Sequence, residues 1–132
     1  MKRVDLQITA PGDIVAVRQT TRSLAVEAGL SLIDQTKVVT AASELARNAL
    51  IHGGGGTAAV EIVRDSPNQG LRLTFEDKGP GIPDLERAMQ DGYSTGGGLG
   101  LGLGGSKRLS SEFRIESKAG LGTRVVIARW KA

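Results

Sequence analysis

Hydrophobic residues follow two periods along this chain, and each period predicts a different kind of element. Alternation of apolar and polar residues over positions 4–8 predicts a strand with one buried face. Apolar residues then recur at helical spacing, so we expect a first helix over about 14–28. Asp13 would be its N-cap and Gly29 its left-handed C-terminal residue. The chain therefore begins with a strand that leads into a helix.

A second, longer helix and a series of strands complete the pattern. Ser31 and Asp34 resemble a capping box, and apolar residues repeat from there at helical spacing up to the glycines at 53–56. The remaining predicted elements are a hairpin over 58–75, a short helical segment over 83–89, a helix over 104–111 and a closing hairpin with strands 113–118 and 123–130. This order predicts an α+β fold, a two-layer α/β sandwich in which helices cover one face of a mostly antiparallel sheet.

Length and composition narrow the possible classes of protein. The chain has 132 residues, 39% of them apolar and 23% charged, which predicts a single globular domain over 1–132. It has no Cys and one His, which excludes a disulfide framework and leaves too few soft ligands for a zinc site. No apolar run is long enough to cross a bilayer, and the first residues lack a signal-peptide core. We therefore expect a cytoplasmic protein without membrane partners.

Positive charge is concentrated near the C-terminus. The formal net charge is +3, but residues 107–132 contain seven basic and two acidic residues. The few aromatic residues are not interleaved with these basic residues, so a base-stacking surface is poorly supported and we expect no nucleic-acid partner. We interpret the segment as a solvated face or, at most, a surface for an acidic protein.

Two polar residues on the second predicted helix are the first candidates for chemistry. Glu44 and Asn48 are four residues apart, so they share a helix face beside the buried seam. A carboxylate in this position can act as a general base, and an amide oxygen can bind Mg²⁺. The alternative is an exposed polar pair with no part in catalysis.

A second candidate follows the predicted strand that ends at Glu76. A carboxylate at a strand end, here Asp77, can accept a hydrogen bond from an exocyclic amine. The glycines behind it, Gly79 and Gly81, would let a flat ring approach the backbone. Asp-x-Gly-Pro-Gly is also a good turn sequence in any protein, so an ordinary turn is the alternative.

Glycine is the anomaly of the composition, with 19 in 132 residues and a concentrated run over 96–105. Successive glycines allow backbone amides to converge on an anion such as phosphate, and a helix that begins behind them adds its positive end. Leucine at every second position argues against a flexible linker. The run lacks the preceding strand of a dinucleotide fingerprint and the Gly-Lys-Ser/Thr of a P-loop. It therefore predicts a phosphate-binding segment of another type.

Four motifs in chain order resemble the nucleotide-binding boxes of the ATPase and kinase superfamily that contains gyrase, Hsp90, histidine kinases and MutL (GHKL). They are Glu44-x-x-x-Asn48, Asp77-x-Gly79-x-Gly81, Gly98-x-Gly100-Leu101-Gly102-Leu103 and Gly120-x-Gly122-Thr123. The resemblance spans nearly the whole chain, and the small size is similar to the anti-sigma regulatory kinases of bacteria, especially the stressosome switch kinases. It implies the Bergerat ATP-binding fold, with ATP and Mg²⁺ bound.

The resemblance also implies a role for each matching residue. Asp77 would bind the adenine amino group, Thr123 would support the adenine end, and Asn48 would hold Mg²⁺ against the phosphates. Glu44 would be the catalytic base. Arg47 would contact the γ-phosphate or a partner, or else be a solvated helix residue. The other implied nucleotide contacts are Gly79, Gly81, Gly98, Leu99, Gly100, Leu101 and Gly102.

By the same resemblance the chain is a serine/threonine protein kinase. It would phosphorylate STAS-domain proteins of the stressosome and then activate a serine phosphatase. Residues 83–97 would form a short lid, and pairing of residues 1–9 with a second copy would give a homodimer. His52 ends the second helix, so autophosphorylation on it is not expected. The alternative is an ATP-loaded anti-sigma factor without catalysis, although retention of Glu44 favours a kinase.

Overall fold

The computed structural model describes residues 2–65, 67–82, 89, 94–95, 99–100 and 103–131. Its elements in chain order are β1 (Arg3–Ile8), α1 (Pro11–Glu27), α2 (Leu32–Ile51), β2 (Gly56–Asp65), β3 (Asn68–Asp77), β4 (Ser94–Thr95), β5 (Leu99–Gly100), α3 (Leu103–Arg108), β6 (Glu112–Lys118) and β7 (Gly122–Trp130). The first strand, the two long helices and both hairpins agree with the predictions from hydrophobic periodicity.

Five strands form one antiparallel sheet in the order β1-β2-β3-β7-β6. Side chains alternate between its faces, and paired residues such as Val60, Leu73 and Ile127 are buried beneath the helices. Both α1 and α2 pack on this face. The opposite face carries charged residues, including Arg72, whose Nε lies 2.9 Å from a carboxylate oxygen of Glu61. The predicted α+β sandwich, with helices on one face of the sheet, is therefore confirmed.

The start of α1 differs from the prediction in one detail. Ala10 is the N-cap, Pro11 is the first helical residue, and Asp13 lies inside the first turn, so the predicted N-cap at Asp13 is wrong. Its carboxylate instead accepts hydrogen bonds from the backbone N–H groups of Thr9 at 2.8 Å and Ala10 at 3.0 Å. Proline is favoured at the first position because its missing N–H has no partner there. The predicted end of the helix is correct, since Gly29 has a φ of +84°.

The start of α2 is held by two different interactions. Ser31 is the N-cap, and its hydroxyl accepts a hydrogen bond from the backbone N–H of Asp34, as predicted. The Asp34 carboxylate itself binds Arg129 of β7, with Nη2 to Oδ1 at 2.7 Å. This guanidinium lowers the pKa of Asp34, which is almost fully buried. Arg129 also donates to the carbonyl of Leu109, so one side chain ties β7 to α2 and to the segment that follows α3.

The glycine-rich part of the chain is described in fragments. Residues 83–88 of the predicted short helical segment lie outside the described residues. The helix predicted over 104–111 is shorter than expected, because α3 ends at Arg108. Among the described residues, no helix combines the length and the apolar character needed to cross a bilayer.

Candidate functional site

A cavity opens where α2, the end of β3 and the start of β7 meet. It is lined by Leu45, Asn48, Ala49, His52, Gly53, Phe75, Asp77, Gly81, Ile82, Leu103, Thr123 and Val125. Most of these side chains are apolar, and a few polar groups lie among them. Such a cavity suits a flat, largely apolar ligand that also carries a few hydrogen-bonding groups.

Asp77 is the acidic residue of this cavity, and the sheet fixes its position. It is the last residue of β3 and pairs with Thr123 of β7. Its Oδ1 accepts a hydrogen bond from the N–H of Gly79 at 2.9 Å, and the backbone N–H of Thr123 also donates to the carboxylate. Burial raises the pKa of Asp77 above its ordinary value, although these two N–H groups and the nearby His52 oppose the shift. The result is a strong, partly desolvated acceptor held rigidly at the cavity.

Close backbone packing behind Asp77 explains part of the glycine-rich sequence. A Cβ on Gly53 would overlap the carboxyl group of Asp77 and lie 2.7 Å from the carbonyl oxygen of Ala49. A Cβ on Gly79 would in turn lie 2.6 Å from the Cα of Gly53. These distances are shorter than any real contact, so larger residues would displace the carboxylate. The start of the unusual glycine run at 53–56 is therefore a packing requirement of the cavity.

Glycine is required at position 81 for a different reason, which is its backbone conformation. Gly81 has a φ of +78°, and a Cβ there would overlap the carbonyl oxygen of Lys118. The free protein therefore already requires glycine at this position, and the predicted role of Gly79 and Gly81 beside a ligand ring stays a prediction. The sequence pattern alone could not show whether glycine is needed here for the backbone conformation or for the approach of a ligand ring.

Ser117 organises the cavity and was missed by the sequence analysis. Its hydroxyl accepts a hydrogen bond from the N–H of Ile82 at 2.8 Å, lies 2.8 Å from the Thr123 hydroxyl and donates to the carbonyl of Gly122 at 3.2 Å. One side chain thus joins the segment after Asp77 to the β6–β7 hairpin. The sequence pattern that could have indicated it is the alternation in β6, where Ser117 occupies the inward-facing position after Phe113 and Ile115.

The three predicted site residues of α2 differ in their position relative to the cavity. Asn48 lines the cavity, whereas Glu44 lies one helical turn earlier, half-buried and outside the lining. Arg47 is exposed. The fold thus brings Asn48 together with Asp77, Gly81 and Thr123, but it does not bring Glu44 or Arg47 into the cavity wall.

The predicted phosphate-binding run cannot be followed completely. Gly98, Leu101 and Gly102 lie outside the described residues, as does most of the predicted lid over 83–97. Leu99 and Gly100 form β5, which pairs with β4 through Thr95 opposite Leu99 and Ser94 opposite Gly100. Their predicted role in nucleotide binding stays a prediction.

Comparison with known proteins identifies sequence relatives of two kinds. Residues 33–132 match the family model described as histidine kinase-, DNA gyrase B-, and HSP90-like ATPase. The chain is 47% identical over 125 residues to serine/threonine-protein kinase RsbT of Bacillus subtilis, covering 95% of this chain and 94% of that protein. It is 34% identical over 101 residues to an anti-sigma F factor of Halalkalibacterium halodurans, covering 73% of this chain and 69% of that protein.

Solved structures provide a second comparison. A structure of the RsbU and RsbW domains of a Mycobacterium tuberculosis protein superposes with a TM-score of 0.67 at 23% identity, over 98% of this chain and 32% of that one. The catalytic domain of histidine kinase ThkA gives a TM-score of 0.54 at 16% identity, over 99% of both chains. At these identities the likeness concerns the fold alone, which is the Bergerat ATP-binding fold predicted from the motifs.

Proposed function

Because the chain belongs to the histidine kinase-, DNA gyrase B- and HSP90-like ATPase family, we propose that it is a serine/threonine protein kinase of the RsbT type. It uses ATP and takes part in partner switching with regulatory proteins. The observation that carries this proposal is the cavity that combines Asn48, Asp77 and Thr123 between α2 and the sheet. ATP as phosphate donor makes the cytoplasm the proposed location.

The adenine base would occupy the apolar part of the cavity. Phe75 and Val125 supply buried apolar surface there, and Asp77 supplies the acceptor for the exocyclic amine. Thr123 would support the same end of the base, and Gly79 and Gly81 would flank it. Two backbone N–H groups hold the Asp77 carboxylate, so it needs little reorganisation on binding.

The phosphate end would lie toward Asn48 and the glycine run. Asn48 lines the cavity, and the amide oxygen of an Asn side chain is the type of ligand that Mg²⁺ prefers, so the residue type fits a metal-binding role. When bound, Mg²⁺ would neutralise charge on the phosphates. Backbone N–H groups of the run from Gly98 to Gly102 would bind the phosphate oxygens.

Glu44 would act as the catalytic base. Phosphoryl transfer depends mainly on positioning and charge neutralisation, so the protein has to orient the acceptor hydroxyl and accept its proton. Glu44 is half-buried and one turn before Asn48 on α2, next to the proposed phosphate position. The proton of a Ser or Thr hydroxyl would pass to its carboxylate as the oxygen bonds to phosphorus and the bond to ADP breaks.

The protein substrates in this proposal are STAS-domain proteins of the stressosome, and the later target is a serine phosphatase. Phosphorylation of the first partner would release the kinase to activate the second.

A homodimer through β1 is also part of the proposal, since β1 is an edge strand of the sheet.

Relatives named anti-sigma F factor favour a second candidate function, in which the ATP-loaded chain sequesters a partner without transferring phosphate. Transfer from γ-labelled ATP with Mg²⁺ separates the two. We expect wild type to place acid-stable label on a STAS-domain protein of the same host, and Glu44→Gln to bind ATP but to transfer no label. Glu27→Gln, an exposed carboxylate change on α1, is the matched control and should behave as wild type. Tight ATP binding by wild type without any transfer would favour the sequestering function.

A further inference from the structure

The exposed face of α2 carries a regular stripe that the nucleotide site does not use. Its residues follow one another at spacings of four, three, four, three and four, which places them on a single helix face about 27 Å long. In order they are Ile33, Lys37, Thr40, Glu44, Arg47 and Ile51. We call this set the α2 stripe.

Apolar side chains at both ends of the α2 stripe are open to solvent. Ile33 is 69% exposed and Ile51 45% exposed, and Leu32 beside the stripe is 72% exposed. Leu32 and Ile33 are adjacent, so they form one continuous exposed apolar surface at the start of the stripe, and such a surface indicates a protein-binding site more often than residues scattered singly. Thr40 adds little polar character, because its hydroxyl donates to the carbonyl of Thr36 within the helix.

The α2 stripe also passes the proposed catalytic base. Glu44 is a member of the stripe, and Asn48, the next residue after Arg47, faces the cavity. Glu44 therefore lies at the boundary between the nucleotide cavity and the exposed face. A protein seated along α2 would bring a hydroxyl to Glu44 from the solvent side, while the phosphate approached from the cavity.

A second copy of this chain is a poor occupant of the α2 stripe. In a two-fold symmetric antiparallel pairing of two α2 helices, Lys37 would face Arg47 of the other copy, and each such contact would join two cations. Like charges placed together are unfavourable. A different protein can place carboxylates opposite Lys37 and Arg47 and apolar side chains opposite Ile33 and Ile51. Such a partner would neutralise the two cations and cover the exposed apolar residues.

We propose that the α2 stripe is the docking surface for the phosphate-accepting protein, and that it recognises an apolar surface with acidic residues. This inference rests on the proposed kinase function. It explains why the apolar residues lie at the ends of the stripe and Glu44 near its middle. The ends would hold the partner, and the middle would receive the acceptor hydroxyl.

The test measures transfer of γ-phosphate to a STAS-domain protein of the same host, together with direct binding of that protein to the ATP-loaded chain. We expect Ile33→Glu and Lys37→Glu to raise KM for the acceptor about tenfold or more, with KM for ATP unchanged. Val26→Glu is the control, because it adds the same charge to an exposed apolar residue on α1, away from the α2 stripe and the nucleotide cavity. Raised salt should weaken acceptor binding by wild type more than by Lys37→Glu.

The outcomes distinguish failure of the docking surface from failure of the kinase assignment. Unchanged acceptor KM and binding in both stripe variants would overturn the docking surface while leaving the kinase function intact. If wild type binds the STAS-domain protein without transferring phosphate, the kinase function fails, and weaker binding by Ile33→Glu would still support the docking surface. No binding and no transfer by wild type would overturn both.

Discussion

Replacement of Asp77 by Asn tests the nucleotide site most directly. The change keeps the size of the side chain but removes its charge and replaces one acceptor oxygen with a donor NH₂ group. Gly79 donates to Oδ1 at 2.9 Å, and the N–H of Thr123 also donates to the carboxylate, so part of its capacity to accept hydrogen bonds is already used in the free protein. An Asn side chain cannot serve these two donors and a ligand amine equally well.

The expected loss follows from the chemistry of that contact. A hydrogen bond to a charged acceptor contributes about 1.5–3 kcal/mol to binding. Because Asp77 is partly buried, we expect the loss of binding free energy in the Asn variant to lie within this range. At about 1.4 kcal/mol for each factor of ten, the Asn variant should bind ATP about 10- to 150-fold more weakly. ADP should lose a similar factor, because the contact is to the base.

The unfolding free energy of the nucleotide-free protein should depend on pH in a direction set by Asp77. Burial raises the pKa of Asp77 in the folded state, so folding favours the protonated form of this carboxyl. Its stabilising contribution is therefore present at low pH and is lost as pH rises through the folded-state pKa. Relative to Asp77→Asn, the unfolding free energy of nucleotide-free wild type should fall as pH rises above about 4, the ordinary pKa of an Asp side chain.

Calorimetric titration with ADP, together with urea unfolding over this pH range, measures both effects. Glu76→Gln is the matched control, because it alters the adjacent residue of β3, whose side chain is exposed and pairs with Arg124. We expect that control to keep wild-type nucleotide affinity. Equal ADP affinity in Asp77→Asn and wild type would refute the assignment of Asp77 to the base.

Two further predictions concern groups that support the cavity. Asp34→Ala should lower the unfolding free energy at pH 7 by about 3–5 kcal/mol, because it leaves the guanidinium of Arg129 in a mostly buried position without its ion-pair partner. Because the pKa of Asp34 is lowered in the folded state, its contribution is lost as pH falls, so chemical unfolding should give a smaller difference below about pH 4. Gly53→Ala should weaken ADP binding about tenfold or more by displacing Asp77, whereas Gly12→Ala, which has open space around its new Cβ, should bind normally in the same titration.

The main elements of the fold were predictable because their signals are local. Alternation of apolar residues in β1 and helical spacing in α2 both reflect which side of one element faces the core. The position of Gly29 was predictable for a similar reason, since a left-handed residue at a helix end favours glycine in any context. The N-cap of α1 was predicted at the wrong residue because an Asp near a helix start can act in two ways. An N-cap Asp accepts from N–H groups of the first turn, whereas Asp13 lies inside that turn and accepts from the preceding N–H groups of Thr9 and Ala10.

The composition of the candidate site was only partly predictable. Asp77 and Asn48 belong to ordered motifs, so the sequence indicated them without the structure. Ser117 has no motif, and its importance depends on groups from two other parts of the chain, Ile82 and the adjacent residues Gly122 and Thr123, that meet at its hydroxyl. The ion pair between Asp34 and Arg129 joins residues 95 positions apart, which no local pattern predicts.

The sequence by itself thus determined the chain order of the two long helices and of the five strands of the main sheet. It also determined the two-layer class of the fold and the residue types available for nucleotide chemistry. Those properties follow from short-range periodicity and from motifs read along the chain. The tertiary structure decided that Asn48 reaches the cavity while Glu44 stays at its edge, and that Gly53 must be small because Asp77 packs against it. These outcomes depend on distances between elements, which are set only when the helices and the sheet pack together.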